Sequence, residues 1–332
     1  MSVLKAAFQL VSLAGGAKLS ILIFHRVLPE PDPIFPDDPD ARQFDRILGW
    51  IASWFNVLPL DVAVDALKRG NLPTHAMAIT FDDGYADNRT VALPILERHG
   101  LSATFFIATG YLDGGRMWND TIIEGIRGSQ AKTLDLGNIQ GSENGGMNLL
   151  PISTVVEKRT AIQTILGNIK HLSPEDREAA SRAIATRCGT MLPDDLMMTT
   201  EQVKEMRHAG MLIGAHTVSH PILAKLGVAG ARREISESKQ TLERVLGEEI
   251  SLFAYPNGKP DSDFQIKDSD IVRDLGFKMA VTTAWGVADK DSDMMHLPRF
   301  TPWGRTKISF GAQLLGNMVQ NEKFRSSQTA SS

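Results

Sequence analysis

Two acidic side chains stand side by side at the end of an apolar, β-prone run: Asp82 and Asp83 in AITFDDGYADN, residues 78–88. Asp-Gly pairs are common in hairpin turns, and a turn is the simplest account of this stretch. There is also a chemical account. Adjacent like charges are tolerated where a cation neutralises one and leaves the other free to act on a proton. A second stretch, GAHTVSHP, offers His216 and His220 at i and i+4. That spacing puts both imidazoles on one face in a helical or an extended segment, so both can converge on one ion. Two histidines with one carboxylate are a common zinc set that leaves a position open for water. Taken alone, the histidine pair reads equally well as capping residues in a Ser/Thr-rich turn. With an Asp-Asp at another strand end, the metal reading takes precedence.

Residues this far apart meet only if the fold gathers the ends of several strands. One recurring pattern would do so: a helical segment closes on Gly and an apolar strand follows at once. It occurs as LPILERHG then LSATFFIAT, as EQVKEMRHAG then MLIGAH, and as IVRDLG then FKMAVTT. Gly after a helix takes the left-handed conformation without penalty. The strands are apolar nearly throughout, as strands buried on both faces are. Helix followed by strand, repeated, predicts parallel βα units, whose chemistry gathers at the C-terminal strand ends. Asp82, Asp83 and His216 all fall there.

Composition narrows the partners. The 332 residues carry 35 basic and 39 acidic side chains, a net charge of −4 with no run of like charge. A concentrated basic face is missing, so nucleic acid is not an expected partner. Hydrophobic content of 42% suits a folded core without staples, and the single cysteine, Cys188, excludes an internal disulfide. The opening MSVLKAAFQLVSLAGGAKLSILIFHRV resembles a signal peptide in its lysine and apolar stretch, but Gln9 interrupts it. Cleavage near Ala17 would cut just before LSILIF, the first core strand. No run is long enough to span a bilayer. The expectation is a cytoplasmic chain with an N-terminal helical segment over 1–20, with export by an atypical signal or peripheral membrane association as the other options. The βα pattern lapses between about Leu112 and Met198. There DLGNIQGSENGG reads as a loop, and TVVEKRTAIQTILGNIKHL and PEDREAASRAIATRC as amphipathic helices: a helical insertion over about 113–198 in a barrel over 21–310. Residues 311–332 read as a C-terminal helix and a disordered tail.

TFDDGY (Thr80 to Tyr85) with HTVSH (His216 to His220) resembles the first two motifs of the polysaccharide deacetylase family, the NodB-homology carbohydrate esterases of the family 4 type. The two lie in order, about 130 residues apart. FAYPNG (Phe253 to Gly258) is similar to the third motif, LPRF (Leu297 to Phe300) lies where the late barrel motif is expected, and ILIFHRV (Ile21 to Val27) resembles the opening strand of the exopolysaccharide branch. The resemblance implies an α/β fold, a distorted (β/α) barrel with fewer than eight regular units. It implies that Asp83 ligates a divalent metal with His216 and His220, and that Asp82 takes the proton from the attacking water. Zinc suits the mixed N/O set, and cobalt, nickel or iron would also fit. The backbone N–H of Tyr255, in a loop stiffened by Pro256, is the implied oxyanion donor.

Two departures stand out. Family members commonly carry an arginine shortly before the third motif, which orients the catalytic aspartate; here ISLFAYP has none, and Arg299 is the candidate to supply that charge. The late motif usually offers a histidine as general acid. In MMHLPRF, His296 is adjacent to the expected place but not aligned with it. If HLPRF is a strand, His296 and Arg299 face opposite sides and only one reaches the pocket. His25, closing the first strand in IFHRV, also points toward the catalytic rim and is a candidate for a catalytic role there, or for a satisfied structural one.

Further residues are placed by their neighbourhood. Tyr85 is expected as a wall residue. Trp118, Asn119 and Asp120 in RMWNDTI are candidates to line a substrate groove, Asp120 reading equally as a helix N-cap. Trp285 and Trp303 follow strands and are candidates to stack on a sugar, or simply to pack. DDPDAR near Asp37 reads as turn chemistry. The expected reaction is metal-dependent removal of N-acetyl groups from an amino sugar of a bacterial glycan. Alternatives are a deformylase or O-acetyl esterase on a lipid-linked sugar, separable by acetate against formate release, and a carbohydrate-binding protein with a degenerate site. Nothing in the sequence sets the oligomeric state.

Overall fold

The computed structural model describes residues 16–137 and 149–319, with residues 8 and 139. In chain order, β1 (Leu19–Phe24), α1 (Ala41–Trp54), β2 (Asn56–Val57), α2 (Leu60–Lys68) and β3 (Ala76–Phe81) lead to a π-helical turn at Asn88–Ala92, then α3 (Leu93–Arg98) and β4 (Thr104–Ile107). The insertion follows as α4 (Trp118–Gly128), β5 (Thr133–Asp135), β6 (Leu149–Pro151), α5 (Val155–Ile169) and α6 (Pro174–Cys188). The chain then returns to the sheet through α7 (Thr200–His208), β7 (Leu212–Ala215), α8 (Val228–Leu246), β8 (Leu252–Ala254), α9 (Ile266–Asp274) and β9 (Met279–Val281), and α10 (Lys307–Val319) packs last. The glycines after α3, α7 and α9 do hold the left-handed conformation, with φ of 62°, 84° and 82°.

The parallel sheet runs β1-β3-β4-β7-β8-β9, with short β2 beside the start of β3. β1, β3, β4, β8 and β9 are buried at every position, as their unbroken apolar sequences require. The sheet is curled, and Leu297–Phe300 bridges its open side. Leu297 pairs with Val281 of β9, and Phe300 with Leu22 of β1. The parallel βα units are those the alternating pattern predicted, and the α/β half-barrel they form agrees with the distorted barrel that the resemblance implied. On one face, stacked rings of Phe24, Phe81 and Phe105, with centroids 5.4 and 4.7 Å apart, tie β1, β3 and β4 together. Each such ring contributes about 1.5–3 kcal/mol when fully buried.

Register decides what the rim holds. Phe24 lies opposite Phe81, and Ile107 opposite Ala215. His25 and Asp82 therefore emerge at one level; because Phe81 lies opposite Phe105, Ala108 and His216 emerge two residues further along the same rim, level with the Asp83–Gly84 turn. The insertion has its own apolar cluster, with Ile122, Ile126, Ile162, Ile165 and Ile184 at its centre. Its two later helices match the sequence reading; the β5–β6 hairpin does not, since three-residue strands carry no periodicity to detect. The expected loop over 135–146 and the N-terminal segment lie mostly outside the described residues, and the tail beyond 319 does entirely. Among the described residues no helix is long and apolar enough to cross a membrane.

Candidate active site and metal centre

Asp82 continues β3, its N–H donating to the Phe24 carbonyl at 3.0 Å. Asp83 then enters the left-handed region, φ 78°, followed by Gly84 at 88°. A non-glycine residue seldom takes that conformation, and it is held here by surrounding structure. The reversal sends the two carboxylates to different partners. Asp83 Oδ1 lies 3.5 Å from Nε2 of both His216 and His220, and one ligand atom from each of the three lies within 4.8 Å of the others. The His216 Nδ1–H donates to the Ala254 carbonyl at 2.7 Å, so in the neutral ring the Nε2 lone pair faces Asp83. Burial opposes protonation of this imidazole, but Asp82 and Asp83 outweigh it and hold the ring above its ordinary pKa.

The turn carrying His220 is strained and braced. Thr217 and His220 have φ of 64° and 51°. Glu234 of α8 accepts from the N–H groups of Val218 and Ser219 at 2.9 and 2.8 Å, and from the Ser219 hydroxyl at 2.7 Å. Gly110 allows a close approach, because a Cβ there would lie 2.8 Å from the Val218 carbonyl oxygen. Glu234 has no signal in the sequence, where it is one more charge on an amphipathic helix.

The donor set fits a divalent cation. Asp83 Oδ1 is buried without a hydrogen-bond partner, and 3.5 Å to a ring nitrogen is too long for a good bond. A buried carboxylate oxygen left unsatisfied is costly, and a cation among these three ligands would satisfy it. Burial pushes the His220 imidazole down to about 4, so it is neutral at pH 7, the form that ligates metal.

Asp82 turns the other way, to Arg299. The guanidinium is wholly buried and bidentate, Nη1 to Oδ1 at 2.7 Å and Nη2 to Oδ2 at 2.6 Å, while its Nε donates to the Thr282 carbonyl at 2.9 Å. Burial would raise the Asp82 pKa, but Arg299 and His216 outweigh it and hold the carboxyl below its ordinary range. Arg299 thus makes the charged contact to Asp82 for which the sequence offered it as the candidate.

A cavity of about 230 Å³ opens beside Asp83, lined by His25, Tyr85, Asn119 and Asp120 among others. His25 is exposed on its rim. Asp120 is 3% exposed, and the Tyr85 hydroxyl lies 3.2 and 3.1 Å from its two oxygens. Burial, with Asp83 nearby, pushes the Asp120 carboxyl up to about 7, against the pull of Arg26. Arg26 sits 4.6 Å over the Tyr85 ring and pairs with Asp87 at 2.7 Å. Both residues of that pair lie inside stretches read for other reasons, and their separation of 61 positions hides the contact.

Several expectations are corrected. The Tyr255 N–H donates to the Val281 carbonyl at 3.3 Å as part of the sheet, so it is not free for an oxyanion, and the Tyr255 ring is buried against Phe264 at 3.8 Å. Pro256 is buried and does not line the cavity beside Asp83. Asp120 is not an N-cap: Met117 holds that position and Asp120 lies in the first turn of α4. Trp118 packs with the insertion, with the Arg177 guanidinium 4.9 Å over its ring, instead of lining the groove. His296 bonds Asp293 at 2.9 Å and stacks beside Phe264, away from the lining of that cavity. Trp285 does not line the cavity beside Asp83; it is exposed on the surface next to Trp303.

Comparison with known proteins agrees with this geometry. Over 302 residues the chain is 23% identical to YxkH of Bacillus subtilis (strain 168), whose own assignment as a polysaccharide deacetylase is provisional; the match spans 90% of this chain and 76% of that protein. Two solved structures share the fold. The Streptococcus pyogenes deacetylase PplD, in complex with acetate, is 20% identical, with a TM-score of 0.59 over 91% of this chain and 99% of that one. IcaB from Ammonifex degensii is 21% identical, with a TM-score of 0.56 over 90% and 98%. The model of the polysaccharide deacetylase family matches residues 69–135 and 174–280, more than half of the chain, and the gap between them falls within the insertion. By that match, and with the strand ends arranged as described, the chain belongs to the polysaccharide deacetylase family.

Proposed function

We propose that the protein hydrolyses the N-acetyl groups of amino sugars in a bacterial glycan, using a divalent metal held by Asp83, His216 and His220. The observation that carries this reading is the division of labour between adjacent aspartates: one faces two imidazoles with an unsatisfied oxygen, and the other is kept ionised by Arg299. A cation at the triad would act as a Lewis acid toward the acetamide carbonyl and lower the pKa of water. Zinc is the first choice for two imidazoles and a carboxylate, with cobalt, nickel and iron as further occupants.

The remaining work falls to the chain itself. Asp82 accepts a proton from the attacking water, and Arg299 fixes which way its oxygens point. The amine leaves with the C–N bond broken and needs a proton in exchange; we assign that donation to His25, which lines the cavity beside Asp83. Tyr85 and Asp120 shape the wall where the sugar would lie. An exopolysaccharide or envelope glycan is the favoured substrate class, on the resemblance of the ILIFHRV strand. The acetate bound to PplD is the product this reaction would release.

The test is mass spectrometry of N-acetylated oligosaccharides and lipid-linked sugars incubated with the zinc-loaded protein. We expect acetate with the matching loss of mass from the sugar, and Asp82→Asn should abolish turnover while retaining metal. Formate in place of acetate would move the assignment to a deformylase, and saccharide binding without turnover would make it a lectin-like protein.

A further inference from the structure

Two cavities meet at His25. The smaller holds Asp83, Tyr85 and Asp120. The larger, about 420 Å³, leads away between the Pro31–Asp40 loop and the stretch Thr301–Arg305, and includes Trp303 in its wall. His25, Arg26, Asp32 and Asp38 line both. A single sugar reacting beside Asp83 would leave the larger arm to water.

At that arm stands a pair of exposed indoles. Trp303 is 56% and Trp285 44% exposed. Their centroids are 5.4 Å apart with 30° between planes, and Phe300 backs both at 5.7 and 5.6 Å. Large aromatic faces left in water call for an explanation when the backbone beneath them is fixed. Here it is fixed twice, from one helix. Gln313 of α10 accepts from the N–H groups of Trp303 and Gly304 at 3.1 and 2.8 Å. Asn317, four residues on and on the same face, donates to the Gly286 carbonyl at 2.9 Å, next to Trp285. Gly304 permits the fit, because a Cβ there would lie 2.5 Å from the Phe310 nitrogen.

We infer that the Trp285–Trp303 pair is a sugar subsite, which holds a unit of the glycan neighbouring the one that reacts. The inference rests on the deacetylase reading and deepens it by naming the residues of this chain that would hold a unit beyond the reacting one. The C–H face of a pyranose, slightly positive, suits the negative face of an indole, and a surface fixed in advance loses little entropy on binding. The cavity's polar residues, Asp37, Gln43 and Arg305 among them, suit the hydroxyl rim of a sugar. Ile308 and Val319 of α10 are also exposed, and a lipid surface is the competing occupant. The carboxylates in the cavity beside Trp303 argue against lipid.

The experiment measures kcat/KM of the zinc-loaded full chain on N-acetylglucosamine and on its β-linked oligomers of increasing length. Wild type should favour the longer oligomers. Trp303→Ala should lower the ratio of oligomer to monomer kcat/KM about tenfold, equivalent to ~1.4 kcal/mol, and Gln313→Ala, which frees the loop but keeps the ring, should lower it by less. In the hydrolysis-dead Asp82→Asn background, oligomer should perturb tryptophan fluorescence, and less so with Trp303→Ala. No length preference in wild type, or an equal loss on monomer and oligomer, overturns the subsite and leaves deacetylation standing. Trp303-dependent sedimentation with anionic vesicles, with no length effect, assigns the pair to a membrane instead. Failure of wild type to release acetate from any of these sugars counts against the underlying reading, and is told apart by the fluorescence arm.

Discussion

Arg299 holds both carboxylate oxygens of Asp82 at 2.7 and 2.6 Å from a position with no access to solvent. Arg299→Ala would leave a buried carboxylate without its partner, which typically costs about 3–5 kcal/mol. Because the Asp82 pKa is lowered in the folded state, the pair's stabilisation is present above the ordinary carboxylate range and lost as pH falls. The variant should therefore show a flatter acid side in its stability curve. The acid limb of its kcat/KM profile should move to higher pH, since Asp82 would protonate more readily. Arg299→Lys, which keeps charge but not the fork, should fall between. An unchanged acid limb in Arg299→Ala would remove the guanidinium from the chemistry.

The metal set gives a prediction independent of turnover. Calorimetric zinc affinity should collapse in Asp83→Ala, His216→Ala and His220→Ala, by more than the 10–100-fold typical of losing an outer partner. Glu234→Ala belongs to that milder class, since it frees only the turn that presents His220. Zinc should raise the melting temperature of wild type with increasing concentration, as a ligand of the folded state must. A chelator should reverse this.

The fold was legible from the sequence because each βα unit announces itself locally: a left-handed glycine ends the helix and an apolar run starts the strand. The triad was legible for the same reason, its members lying at or just past strand ends that the parallel sheet gathers on one rim. What escaped notice depends on side chains crossing long separations. Glu234 under the His220 turn, Arg26 over Tyr85 and Gln313 behind Trp303 look like ordinary surface charges and amides until the chain folds. Tyr255 shows the opposite error. Its loop was located correctly, but whether a given N–H faces the site or the sheet turns on one residue of register.

Asp120 should make the wild type less stable than Asp120→Asn near neutral pH. Its carboxyl, pushed up to about 7 by burial, stays protonated in the folded state where the unfolded chain has already ionised. The folded state therefore holds the extra proton, and stability falls as pH rises from the ordinary carboxylate range through about 7. In metal-free protein, Asp120→Asn should melt higher than wild type at pH 8, with the gap closing at pH 4. If the gap is the same at both, Asp120 is an ordinary carboxylate.

The two candidate acids divide by position. His25 lies on the rim of both cavities, whereas His296 is turned to Asp293 and packed beside Phe264. A departing sugar amine needs a proton; the phenolate of a nitrophenyl acetate does not. His25→Ala should thus lower kcat on an N-acetylated oligosaccharide by roughly 10²–10⁴, the usual range for losing general acid–base help, while nitrophenyl acetate hydrolysis changes far less. His296→Ala should lower the melting temperature and affect both substrates alike. The reverse pattern, with His296→Ala selective for the amide, would return the acid to the late motif and make His25 a wall residue.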